Sequence, residues 1–283
     1  MSDKLHAASN RSFALPDIAV VTLTGRDATA FAHAQFMSDV AALEAGRWHW
    51  SGWLTPKGRV IALFAILRLD AETLHLLVMD AEPAAFAASL QRFVFRSKVT
   101  IAVDEALQVS GALDAPTRAQ GDRADIGDGA IELDWSLDGH PRALRLSTGA
   151  PADAAQADHW RGLDMAGGLP RLTAGQAEAW TPQQLSLDRL RAFSVRKGCY
   201  PGQEIVARTH FLGQARRGLV GLTGAAHAQP GADVVQDGQT IGRLASVSPQ
   251  IQLAVLPLER ADTPLSIAEA AVSIVPLLDG LAR

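Results

Sequence analysis

The residues best suited to chemistry lie in one stretch, SVRKGCYPGQEIVARTHFLGQ, residues 194–214. It contains the only cysteine, Cys199, and the only tyrosine, Tyr200. Arg196 and Lys197 stand just before Cys199. Nearby positive charge favours the thiolate, which is the reactive form of a thiol. Gly198 and Gly202 bracket the cysteine, and Pro201 has no backbone N–H to donate, so the stretch reads as a turn or loop rather than the interior of a helix or strand. In this reading Cys199 is a reactive or redox-sensitive thiol, Lys197 and Arg196 supply activating charge, and the two glycines supply the bend. A single cysteine equally serves as a small buried hydrophobe, and the residues alone leave both roles open.

Composition narrows the classes. The chain has 283 residues, 48% hydrophobic and 20% charged, with a formal net charge of −4. This is enough for two or three compact units of ordinary globular composition. A slightly acidic chain without a basic block gives no electrostatic case for nucleic-acid binding. One cysteine excludes an internal disulfide and an iron–sulfur cluster ligated by several cysteines of this chain. None of the eight histidines forms an i,i+4 pair, so no metal site is expected. The longest apolar run, 60–67, is far short of the ~20 residues a spanning helix needs. The N-terminus lacks an apolar leader core. A cytoplasmic protein that does not associate with membranes is expected.

These residues need elements to position them. Ile18–Leu23 reads as a strand, with Thr24 as N-cap of a short helix over 27–37 in which Phe31 faces inward. Arg47–Trp53 and Arg59–Leu69 flank the turn LTPKG, and the unbroken apolar run predicts a second strand buried on both faces. Leu74–Met79 is the next strand. Pro83 opens a helix over Pro83–Phe95, and Val99–Val103 returns as a strand. Residues 114–130, rich in Gly, Asp and Ala, read as a mobile loop. Ile131–Trp135 and Arg142–Ser147 form a hairpin around Asp138-Gly139. Residues 152–163 read as a helix reaching Trp160, and 169–184 as a long loop. Residues 1–12 are polar and expected to fray. Past Gly213, short strands between Gly, Pro and Asp breakers predict a small β-barrel or sandwich.

The string KGCYPGQE at 197–204, continuing IVAR at 205–208, resembles the signature of the YgfZ-type folate-binding proteins, within the superfamily of the glycine-cleavage T-protein (an aminomethyltransferase). The pieces at 22–40, 54–60, 93–101, 160–170 and 181–188 resemble the same family in the same order. The resemblance implies an α+β fold of three lobes in a ring around a central folate-type cavity. Two α+β lobes would occupy 1–212 and a C-terminal β-barrel 213–283.

The resemblance also implies roles. Trp160 takes the place of a folate-contacting tryptophan, and Tyr200 would pack or stack against the ligand. Gln203 and Glu204 would be polar anchors, Glu204 with Arg208 at i,i+4. Lys57, Arg59 and Lys98 are cations suited to the glutamate tail of tetrahydrofolate or a derivative. Four residues depart from the pattern. Ala166 stands where the family commonly has Glu, Ile18 where a second aromatic is expected, and Ala62 with Leu63 where aminomethyltransferases carry a pair of Asp. Without that pair no carboxylate is left to orient the reacting amine. The implied function is an accessory role in assembly or repair of iron–sulfur proteins, including tRNA-modifying enzymes. Its partners would be those client or assembly proteins. Two alternatives stand beside it: a tetrahydrofolate-dependent aminomethyltransferase or demethylase, and a redox module holding a transient cluster through Cys199 across a dimer.

Overall fold

The computed structural model describes residues 12–127, 129–211, 213 and 215–283. The polar N-terminal stretch therefore lies outside the described residues except for Ser12.

The first lobe is built on a five-stranded sheet in the order β3-β4-β5-β2-β6. Its strands are β2 (Ile18–Thr24), β3 (Arg47–Leu54), β4 (Val60–Arg68), β5 (Thr73–Met79) and β6 (Thr100–Val103). The two-sided burial expected of β4 holds in detail. Leu63, Ala65 and Leu67 join one hydrophobic cluster, while Ala62, Phe64 and Ile66 join another. That is the period of two of a strand enclosed on both faces. The second cluster is closed by α1 (Ala28–Gln35) and α2 (Pro83–Gln91). Helix α2 starts as its sequence predicts: Pro83 sits in the first turn, and the Glu82 carboxylate accepts from the N–H groups of Ala84 and Ala85. It ends at Gln91 rather than Phe95: the Phe93 and Val94 N–H groups donate three residues back, to the Leu90 and Gln91 carbonyls, instead of four, and Arg96 beyond them takes a left-handed φ of 62°. Helix α1 differs from its expected cap. Thr24 belongs to β2, and Asp27 caps without a side-chain bond. The Asp27 carboxylate instead accepts from the Lys98 N–H at 2.7 Å, a partner 71 residues away.

The second lobe is a five-stranded sheet in the order β1-β7-β10-β9-β8, with α3 (Ala154–Ala166) against it. Strands β9 (Ala130–Asp134) and β10 (Ala143–Ser147) are the expected hairpin. Strands β1 (Phe13–Ala14), β7 (Gln108–Ala112) and β8 (Asp125–Gly127) were not legible in the sequence. The presence of β8 corrects the reading of 114–130 as a loop throughout. Glu132 also orders that region by accepting from the N–H groups of Thr117 and Arg118.

The third lobe is a closed barrel of β11 (Arg217–Thr223), β12 (Asp233–Gln236), β13 (Gln239–Val247), β14 (Gln252–Pro257), β15 (Leu265–Ile267) and β16 (Ala270–Val275), in the order β11-β14-β13-β12-β15-β16. The chain then leaves it. Leu278 N–H donates to the Ala166 carbonyl, and the Leu281 carbonyl accepts from Trp50 Nε1 at 2.6 Å. The tail thus runs back over the first two lobes.

Where the lobes meet, Trp48 stacks on Trp135 at 5.1 Å with an interplanar angle of 9°. Trp50 and Trp160 complete the group. Beside it runs a buried ion network. Asp164, with no exposed side-chain surface, accepts from Trp135 Nε1 at 3.0 Å, from Arg142 at 2.9 Å and from Arg171 at 2.9 Å. Arg171 continues to Asp80 at 2.7 Å and Asp17 at 2.5 Å, and Arg161 bridges the same two acids. Removing one partner of a buried pair leaves uncompensated charge in a medium that solvates it poorly. Asp164→Asn is therefore expected to lower unfolding free energy by roughly 3–5 kcal/mol, read as a fall in the urea midpoint with an unchanged m-value.

Candidate functional site

The Cys199 loop is fixed at several points and leaves its thiol free. On the near side, Ser194 N–H donates to the Met37 carbonyl at 2.8 Å. Lys197 is tied to α1 twice: its Nζ donates to the His33 carbonyl, and its own carbonyl accepts from His33 Nε2 at 3.1 Å. The Lys197 ammonium also lies over the Tyr200 ring, 4.8 Å from the centroid. Burial lowers the Lys197 pKa to about 8, against a weaker opposing effect of Asp39. Tyr200 is buried, donates its hydroxyl to the Ser194 carbonyl at 3.2 Å, and is pushed by burial up to about 12. Cys199, between these anchors, is exposed.

On the far side the loop meets the β3–β4 turn. A Cβ on Gly202 would lie 2.6 Å from the Thr55 carbonyl oxygen and 2.7 Å from Gly58 Cα. Both glycines have positive φ, 79° and 69°. The two glycine-containing motifs, LTPKGR and KGCYPGQE, therefore touch backbone to backbone, which no other residue type permits at that distance. From Gln203 the chain is helical, α4 (Gln203–Phe211), and not loop as its glycines and proline suggest. Glu204 in its first turn and Arg208 with His210 in its last complement the helix dipole. No ion pair between Glu204 and Arg208 is found among the described residues.

The remaining expected site residues are dispersed. Lys57 and Lys98 are exposed. Arg59 holds the long loop, donating to the Ala179 carbonyl at 2.8 Å and to Gln184 Oε1 at 3.3 Å. Trp160 is fully buried. Its ring contacts Phe13 edge-on and Trp135 in a stack, with the Arg142 guanidinium 4.5 Å above it. Gly111 makes this seat, since a Cβ there would come within 2.8 Å of the indole.

A cavity of about 230 Å³ does lie against Ala62 and Leu63, between α2 and residues 170–177. Its walls are mainly apolar, with Trp53, Phe86, Met79 and Pro170 among them. Trp53 Nε1 is buried without an acceptor. The acids at its edge are engaged, Asp80 with Arg171 and Glu82 as the α2 cap. The space suits a flat aromatic ring with a hydrogen-bond acceptor, and Trp160 is not one of its walls. Sequence reasoning missed Asp164, Arg171, Asp80 and Asp17. The stretch WRGLDMAGGLPRL alone, with two Arg and an Asp among apolar residues, carried the signal.

Comparison with known proteins follows this geometry. Residues 216–277 match the family described as CAF17, C-terminal beta-barrel domain. The tRNA-modifying protein YgfZ of Enterobacter sp. (strain 638) is 27% identical over 263 residues, covering 84% of this chain and 80% of that protein. The tRNA-modifying protein YgfZ of Sodalis glossinidius (strain morsitans) is 28% identical over 240 residues, covering 77% and 73%. The chain is thus similar to these YgfZ proteins over most of its length. Its fold is that of the T-protein: the crystal structure of glycine cleavage system aminomethyltransferase T from Bartonella henselae superposes with a TM-score of 0.70, at 15% identity, over 99% of this chain and 90% of that one. Among the described residues, no helix is long and apolar enough to cross a membrane.

Two outcomes test the geometry of the loop and its surroundings. Gly202→Ala is expected to cost roughly 1–3 kcal/mol in urea unfolding, because a Cβ at positive φ also meets the Thr55–Gly58 backbone. The second concerns His49, whose Nε2 lies 2.9 Å from Ser38 Oγ. Burial lowers its pKa to about 4. The unfolded chain then binds a proton that the folded one refuses between pH 6.5 and 4, so stability is lost as pH falls through that window. His49→Gln is expected to remove up to ~3 kcal/mol of that loss, measured as a flatter stability–pH curve.

Proposed function

We propose that this protein is a folate-binding accessory factor that supports assembly or repair of iron–sulfur proteins, tRNA-modifying enzymes among them, with the Cys199 loop as its functional centre. The observation that carries the reading is the contrast within that loop. Lys197, Tyr200 and Gly202 are fixed against α1, the core and the β3–β4 turn, yet Cys199 is exposed. A rigidly presented thiol suits contact with another protein better than packing. The YgfZ relatives, named as tRNA-modifying proteins, support the cellular context. A folate-type ligand is supported by the T-protein fold, and the cavity beside Ala62 and Leu63 would accommodate its ring.

Transfer of a one-carbon unit is the weaker reading. Ala62 and Leu63 line that cavity where a transferase would need carboxylates. The protein would act in the cytoplasm, on client proteins rather than on nucleic acid.

Cys199→Ser is expected to fold with wild-type stability, since the thiol is exposed. In a strain lacking the protein, the variant should leave the activity of an iron–sulfur tRNA-modifying enzyme under oxidative stress near the deletion level. Full restoration by Cys199→Ser would remove the thiol from the mechanism. Calorimetric titration of tetrahydrofolate into the wild type, with no heat of binding, would remove the folate.

A further inference from the structure

The chain between α2 and β6 includes residues 92–98, RFVFRSK. Two of its rings lie on the surface, Phe93 at 50% and Phe95 at 76% exposure. Exposed apolar residues scattered singly are ordinary, whereas two large rings two positions apart on one loop are not. We propose that this loop, with Arg26, is a docking surface for an acidic segment of a partner protein, an inference that rests on Cys199 being a thiol offered to client proteins.

Charge decides the chemistry of the partner. Residues 92–98 hold Arg92, Arg96 and Lys98 and no acid, on a chain whose formal net charge is −4. All three are exposed, and none has an acid partner among the described residues. The segment before α1 packs against the end of this loop. Asp27 N–H donates to the Lys98 carbonyl at 3.3 Å, and a Cβ on Gly25 would overlap the same oxygen. Arg26, with 71% of its side chain exposed, stands on that segment. Two of the neighbouring acids are engaged. Asp27 accepts from the Lys98 N–H at 2.7 Å, and Asp70, on the turn that meets Gly25, accepts from the Glu72 N–H at 2.8 Å. The Glu72 carboxylate, exposed on that turn, is the third. Solvent-facing cations beside apolar rings are the complement of carboxylates interleaved with apolar side chains. The rings are held ready: Phe93 meets Trp53 edge-on at 5.6 Å, and the Arg96 guanidinium lies 5.1 Å from the Phe95 centroid. Side chains already held lose little freedom on docking, and Phe and Arg are enriched where proteins meet. Position links the surface to the thiol. Asp27, bonded to Lys98, precedes α1, and His33 in the last turn of that helix is bonded to Lys197. These two anchors are about 9 Å apart along the helix axis, so one partner can cover both loops.

The test places photoreactive benzoylphenylalanine at position 95 of the full chain, in a strain lacking the protein, and maps the adducts formed on irradiation by mass spectrometry. The same probe at position 126, exposed on the second lobe, is the control. Position 95, and not position 126, should link to a peptide of an iron–sulfur enzyme or assembly protein that carries more Asp and Glu than Lys and Arg. Combining Arg92→Glu with Arg96→Glu should cut the yield roughly tenfold and leave the urea midpoint unchanged, since both residues are exposed. Cys199→Ser should give the same adduct, so the surface and the thiol fail separately. An acidic peptide from any other protein would keep the docking surface and overturn the client reading. A neutral or basic peptide, an RNA or lipid adduct, a link to a second copy of this chain, no adduct at all, or a yield unmoved by the charge reversal would overturn the docking surface.

Discussion

The structure depends on one carboxylate. Asp164 receives Trp135 Nε1 and Arg142 on one oxygen and Arg171 on the other. Through Trp135 it reaches the tryptophan group between the sheets. Through Arg171 it reaches Asp80 and Asp17, at the end of β5 and just ahead of β2. Apolar burial would press the two lobes together in many registers, because it is not directional. Guanidinium–carboxylate pairs at fixed angles select one. Arg171 shows the balance: burial alone would lower its pKa, yet three acids raise it. Arg142 shows the opposite balance, with burial prevailing and two of its nitrogens left without acceptors.

That constraint fixes what each motif does. Trp160 lies on α3 four positions before Asp164, so the network that anchors the helix also holds this indole inside the core. The same helix gives its Ala166 carbonyl to the tail, and the tail returns to Trp50 and Trp48. The barrel is consequently tied to both sheets by segments outside its own strands. The Cys199 loop is held differently, by a backbone contact between two glycines and by a lysine directed at a helix carbonyl. Its geometry therefore depends on α1 and the β3–β4 turn more than on the ion network.

The sequence made much of this legible where local rules decide. Continuous apolar residues at 60–67 predicted a strand between two cores. Pro83 predicted a helix start, and spaced breakers past Gly213 predicted the barrel. It failed where partners lie far apart. Asp27 looks like a capping acid and holds Lys98; Arg59 looks like a free surface cation and holds the Ala179–Gln184 loop. Asp17, Asp80, Asp164 and Arg171 look like ordinary charges until the fold removes water from them. Strands β1 and β8 are two and three residues long, too short for periodicity to register. Helix α4 was hidden because Gly198, Pro201 and Gly202 are breakers that end just where the helix begins.

Motif position and motif role also separate here. The resemblance makes Trp160 a ligand contact, and the residues around Cys199 make it a candidate reactive thiol. In the fold, Trp160 is enclosed by Phe13, Trp135 and Arg142, while Cys199 faces solvent. A ligand could touch the indole only by displacing a stacked tryptophan or a buried arginine. A partner protein could touch the thiol with no rearrangement. The aromatic residue thus serves the scaffold that sets lobe geometry, and the cysteine is what that scaffold presents. Between them, Tyr200 belongs to both: its ring is buried with the core, and its hydroxyl and the cation above it order the loop. Substitutions at these three positions should therefore differ in kind, with stability moving most at Trp160, least at Cys199, and loop order together with stability at Tyr200.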